Sequence, residues 1–145
     1  MQKAGTMPVR EENLDVEVEV RDAVTAILTV GGELDIETAT FLHHHIANQF
    51  LHGRRHLVLD LSALSFMDSS GLNVVIKGAR EAREMGGDLH LVAPTPAVRR
   101  LLEITGLNVT TPIHADVDEA LATVRQQDSV VDPQVRSADR ENTEQ

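Results

Sequence analysis

Leu57-Val58-Leu59-Asp60-Leu61-Ser62-Ala63-Leu64-Ser65-Phe66-Met67-Asp68-Ser69-Ser70-Gly71-Leu72 changes its patterning twice, and the fold is read from that change. Residues 57–61 are almost continuously apolar, as expected for a central strand covered on both faces. A loop is expected over Ser62 to Met67. Asp68-Ser69 then announces a helix, because Asp and Ser satisfy free N–H groups at helix starts. Leu72, Val75, Ile76, Ala79 and Ala82 follow on one stripe at helical spacing, and Gly86-Gly87 suits a C-terminal stop. A buried strand running into an exposed helix start is the unit of an α/β sheet.

Upstream, Val16, Val18 and Val20 alternate with charged residues, the period of a strand wet on one side, with Glu17 and Glu19 reading as a charged edge. Asp22-Ala23 turns the chain into a second strand, Val24 to Val30, ended by Gly31-Gly32. Asp35 is the expected N-cap of a helix carrying Ala39, Leu42, Ile46 and Phe50, and Gly53 stops it. Downstream, Leu89-His90-Leu91-Val92 reads as a strand, and Thr95-Pro96 starts a helix that ends at Gly106. Val109 to Ile113 reads as a last edge strand. Asp116-Val117-Asp118-Glu119 has capping-box spacing before a final helix. The expected architecture is one α/β domain: a mixed, mostly parallel sheet of about five strands with about four helices packed on it. Residues 1–13 read as a flexible leader, 14–126 as the domain and 127–145 as a disordered acidic tail.

Composition narrows the function classes. A net charge of −10 opposes a direct nucleic-acid partner, which needs a cationic face. The absence of cysteine removes disulfides and thiolate metal sites. The start of the chain lacks the apolar run of a secretory signal, and no apolar stretch approaches the roughly 20 residues that span a bilayer. A cytoplasmic protein without membrane or cofactor is expected. His43-His44-His45 invites a metal reading, but consecutive helical residues point in different directions. His52 and His56 have i, i+4 spacing with Gly53 between them. Neither set is taken as a metal site.

In α/β sheets, chemistry gathers beyond the carboxyl ends of strands. Two junctions stand there: Gly31-Gly32-Glu33-Leu34-Asp35, and Leu64 through Gly71. Both place an acid at a helix start, and adjacent parallel strands would bring them together. At the second junction Gly71 leaves room for a partner backbone, while Phe66 and Met67 belong either to the core or to a contact surface. On local chemistry alone, an Asp-Ser pair is a helix cap.

Taken together, Gly32-Glu33-Leu34-Asp35, Leu57 to Leu61, Leu64 to Leu72, Gly86-Gly87, Pro96 to Leu102 and Thr105-Gly106-Leu107 resemble the STAS-domain family of anti-sigma factor antagonists over about residues 14–126. That resemblance implies a partner-switching protein and not an enzyme. The unphosphorylated form binds an anti-sigma factor and releases the sigma factor. The anti-sigma factor is often a serine kinase of the histidine-kinase-like ATPase fold, and a serine phosphatase reverses its action. The motif serine is Ser69, with Ser70 the neighbouring alternative. Asp35, Asp68, Ser69, Ser70, Gly71 and Asn73 form the implied partner-binding set, and Asn73 departs from the small residue common at its place.

Within the same fold, a lipid-transporter accessory subunit or a sensor-complex scaffold is the alternative, and a weak homodimer is left open. A small serine hydrolase ranks below these, since no Gly-x-Ser-x-Gly elbow is present. Lys77, Arg80 and Arg83 follow the serine along its helix and read as a solvated face or as salt-bridge donors to a partner.

Overall fold

The computed structural model describes the backbone of residues 7–11 and 13–136 and the side chains of residues 13–128. The strands are β1 (Met7–Glu11), β2 (Leu14–Val20), β3 (Thr25–Leu34), β4 (His56–Met67), β5 (Asp88–Val92) and β6 (Ile113–His114). The helices are α1 (Ala39–Leu51), α2 (Ser69–Glu84), α3 (Pro96–Thr105), α4 (Leu107–Thr110) and α5 (Val117–Arg136). The strands lie side by side in chain order. β1, β2 and β3 pair antiparallel, and β3 through β6 pair parallel, so the mixed α/β architecture is the expected one.

The period-two pattern of the central strands sorts side chains to two faces. Leu28 and Val30 of β3, Leu57, Leu59 and Leu61 of β4, and Leu89 and Leu91 of β5 join Leu42, Ile46, Val75, Ala79 and Leu102 in the main core beneath α1, α2 and α3. Ile27, Val58 and Val92 face the other way, against Ala120 and Leu121 of α5. This double coverage is why residues 57–59 are apolar without alternation.

Several elements differ from the sequence reading. Met7–Glu11, expected within a flexible leader, pairs with β2, so Glu17 and Glu19 sit on an inner strand and β1 is the edge. Residues 1–6 and 12 of that leader lie outside the described residues. β3 does not stop at Gly31-Gly32 but continues to Leu34. β4 likewise runs through the expected loop to Met67, pairing Leu64 with Gly32 and Met67 with Leu34 across two register shifts. The glycines permit this: a Cβ on Gly32 (φ +103°) would lie 2.3 Å from the Asn13 carbonyl oxygen, and one on Gly31 would lie 3.1 Å from Ala63 Cβ.

In place of an edge strand over 109–113 there is the short α4 and a two-residue β6. Gly106 takes the left-handed conformation at φ +80°, and Leu107 turns inward as an anchor. The expected domain end at 126 falls inside α5. Two residues later, Asp128 Oδ1 lies 2.8 Å from His56 Nε2 and 3.3 Å from Arg55 Nη2. Gln127 donates to Asp88 at 3.2 Å. Residues 137–145 of the expected tail lie outside the described residues. Among the described residues no helix is long and apolar enough to cross a membrane.

Candidate functional site

The ends of β3 and β4 bring the two junctions together. Leu34 pairs with Met67, and the Asp68 N–H donates to the Leu34 carbonyl at 3.1 Å, so Asp35 and Asp68 leave the sheet side by side. Thr95 braces the same edge, its hydroxyl donating to the Leu64 carbonyl at 2.8 Å instead of capping α3.

Asp68 is the N-cap of α2. Its backbone is extended, and Oδ1 accepts from the N–H groups of Ser70 at 2.8 Å and Gly71 at 3.3 Å. Ser69 is therefore the first helical residue. It is exposed, whereas Ser70 is half-buried. No described residue hydrogen-bonds the Ser69 hydroxyl.

Asp35 does not cap α1 directly. Its Oδ1 accepts from Glu37 N–H at 3.0 Å and Thr38 N–H at 3.2 Å, closing a turn ahead of the helix. Thr38 occupies the N-cap position. Its hydroxyl accepts from Asp35 N–H and donates to the Glu33 carbonyl, both at 2.9 Å, so the acid is held in place by a buried threonine. Sequence reading missed Thr38, although a Thr directly before the first residue of an apolar stripe is a start signal.

Gly71 has a different role from the one its position suggested. It is buried, and a Cβ there would lie 2.6 Å from Leu34 Cγ and 3.0 Å from the Leu34 carbonyl oxygen. The glycine admits Leu34 beneath the helix start, not a partner backbone above it. Asn73 is exposed one turn along, on the same surface as Ser69. Met67 belongs to the core, but Phe66 is 46% exposed, and Ile36, beside Asp35, is 76% exposed. The sequence had not singled out Ile36. Isolated in a polar turn, it carries no periodicity. Phe66 and Ile36 both lie at or just beyond the carboxyl ends of β3 and β4, where Asp35 and Asp68 also leave the sheet.

The triple histidine disperses as its helical spacing requires. His44 is exposed and His45 packs edge-on against Phe41, with ring centroids 4.8 Å apart. Burial, with His44 nearby, holds the His45 imidazole below its usual range. Among the described residues no group of three or more His, Asp or Glu is placed to hold a metal ion.

An exposed serine on a capped helix start, at the end of a mixed sheet with helices on both faces, defines the class. Residues 15–120 match the family model of the STAS domain, and the chain belongs to that family. It is 34% identical over 111 residues to the anti-sigma F factor antagonist of Paenibacillus polymyxa, covering 75% of this chain and 93% of that one. Among solved structures it is similar to the anti-sigma factor antagonist SpoIIAA in its unphosphorylated form (TM-score 0.69, 28% identity, 77% of this chain and 96% of that one). It is also similar to the Bacillus cell fate determinant SpoIIAA in the phosphorylated form (TM-score 0.63, 27% identity, 75% and 98%).

Proposed function

We propose that this protein is an anti-sigma factor antagonist whose binding is switched off by phosphorylation of Ser69. The observation that carries the proposal is the setting of Ser69: exposed, its hydroxyl bonded to no described residue, and first in a helix already capped by Asp68. Ser70, half-buried with its N–H held by Asp68, is the poorer acceptor. The similarity to antagonists of anti-sigma factors supplies the partner class, and a relative described in both phosphorylation states supplies the precedent. The protein acts by binding and is itself the substrate of a kinase. The proposed kinase is the anti-sigma factor, of the histidine-kinase-like ATPase fold, with a separate phosphatase restoring the serine.

Charge explains the switch. A phosphate adds about −1.5 to −2 charge and three acceptor oxygens. At a helix N-terminus the backbone tolerates that charge, so the domain stays folded. Outside the helix the phosphate adds to the negative charge of Asp68, its neighbouring cap, and of Asp35 at the end of the adjacent strand, on a surface where a partner must pack. Ser69→Ala retains binding and cannot be switched off, whereas Ser69→Asp binds weakly. Calorimetry with each purified anti-sigma factor of the source organism, and mass spectrometry after incubation with ATP, test this. Phosphate found mainly on another residue overturns the Ser69 assignment.

A further inference from the structure

Two hollows lie along one line between α1 and α2. The first, about 210 Å³, is next to the switch end and is flanked by Thr40, His43, Asn73 and Lys77. The second, about 460 Å³, is at the far end and is formed by Phe50, Leu51, Glu81, Glu84 and Met85. Their lining residues advance along both helices in steps of three and four, so the hollows are successive parts of a single seam. Between them Ile46 lies under Gly78, where a Cβ would come within 3.5 Å of the isoleucine. At 1.5 Å per residue the seam is roughly 20 Å long, the reach of a helix of about thirteen residues.

The far end has the features of a surface waiting for a partner. Leu51 is 83% exposed and Met85 is 39% exposed, beside a half-buried Phe50. Large apolar side chains gathered in a concave place mark interaction sites more often than scattered ones do. Glu81 and Glu84 border them and form no ion pair with a described residue. At the other end the exposed Lys77 and the half-buried His43 are likewise unpaired. A second copy of this chain, with its net charge of −10, is a poor occupant for an acid-rimmed groove. A basic, apolar segment is a good one.

Resting on the anti-sigma reading above, we propose that the whole seam receives one amphipathic helix of the anti-sigma factor. Its apolar stripe covers Phe50, Leu51 and Met85, its basic residues meet Glu81 and Glu84, and an acidic residue meets Lys77. Binding then has two parts. Ser69 controls one end, and the far end supplies affinity that the phosphate does not touch.

The test uses the full chain and every histidine-kinase-like anti-sigma factor encoded by its source organism, each purified singly. Affinities are measured for wild type, Leu51→Asp/Met85→Asp and Glu81→Lys/Glu84→Lys, each with and without Ser69 phosphate. The expected result is a tenfold or greater loss in each far-end variant, by the same factor in both phosphorylation states, so that the ratio between states is unchanged. Amide exchange on the wild-type complex should show protection over residues 47–51 and 81–85, which needs no variant to fold. If wild type binds and the far-end variants bind equally well, or those segments gain no protection, the seam proposal is wrong while the partner reading stands. If no anti-sigma factor binds wild type, the partner reading falls and takes the seam with it.

Discussion

Asp68 holds two N–H groups of α2 on a single carboxylate oxygen and contributes a negative charge beside Ser69, and these two roles separate by substitution. Asp68→Ala removes the cap and should cost about 1 kcal/mol of stability, whereas Asp68→Asn keeps an acceptor and should cost only a few tenths. Denaturant midpoints read this difference. Equal losses would mean that charge, not capping, fixes the helix start. Gly71 makes a second test at this scale. Gly71→Ala gains helix propensity but drives a Cβ into Leu34, and the expected balance is a destabilisation of about 1–2 kcal/mol. A stabilised Gly71→Ala protein would show that Leu34 has room to move. Both residues were visible in the sequence as members of a helix start. Only coordinates could show that Gly71 faces inward, because the residue it accommodates is 37 positions away on a neighbouring strand.

Among the elements, α5 carries the clearest electrostatic signature. His56 and His90, both fully buried, lie on the sheet face it covers. Asp128 meets His56 and Arg55, His114 Nε2 lies 3.1 Å from His90 Nδ1, and Glu119 lies 3.7 Å from His114. Burial holds the His90 imidazole down at about 4 from 6.5, His114 and His56 add to the effect, and Asp88 opposes it. The unfolded chain therefore binds this proton more readily than the folded one. His90's contribution is complete above about pH 6.5 and is lost as pH falls toward 4, by up to about 3 kcal/mol.

Urea unfolding at pH 7.5 and pH 5 should show that loss in wild type and a smaller one in His90→Leu. Parallel profiles would assign the acid sensitivity elsewhere. The final helix itself was legible from Asp116 and Glu119, since the Glu119 N–H does donate to Asp116 Oδ1 at 2.9 Å. Its length was not, because Gln127 and Asp128 look like tail residues until their partners on β4 and β5 are known. The extensions of β3 and β4 were hidden for a related reason. Two register shifts and the serines at 62 and 65 break the two-residue period that sequence reading depends on. Apolar runs and caps announced the elements that stand by local pattern; β1, β6 and the strand extensions depend on pairing.

For the whole molecule, the arrangement keeps the proposed switch surface apart from the core. The core lies between the sheet and its helices, and α5 closes the opposite face. Ser69, Asp35, Ile36 and Phe66 lie at or just beyond the carboxyl ends of β3 and β4, outside that core. On the proposed reading, a doubly charged group added at Ser69 changes what can dock while the fold is kept. Thermal unfolding of the phosphorylated protein should accordingly stay close to that of the unmodified one. The central claim is tested most directly by the affinity of one anti-sigma factor for the chain before and after stoichiometric phosphorylation at Ser69, at one salt concentration. The expected result is a loss of about 30-fold or more, the equivalent of roughly 2–5 kcal/mol for uncompensated interfacial charge. Equal affinity in the two states would contradict it.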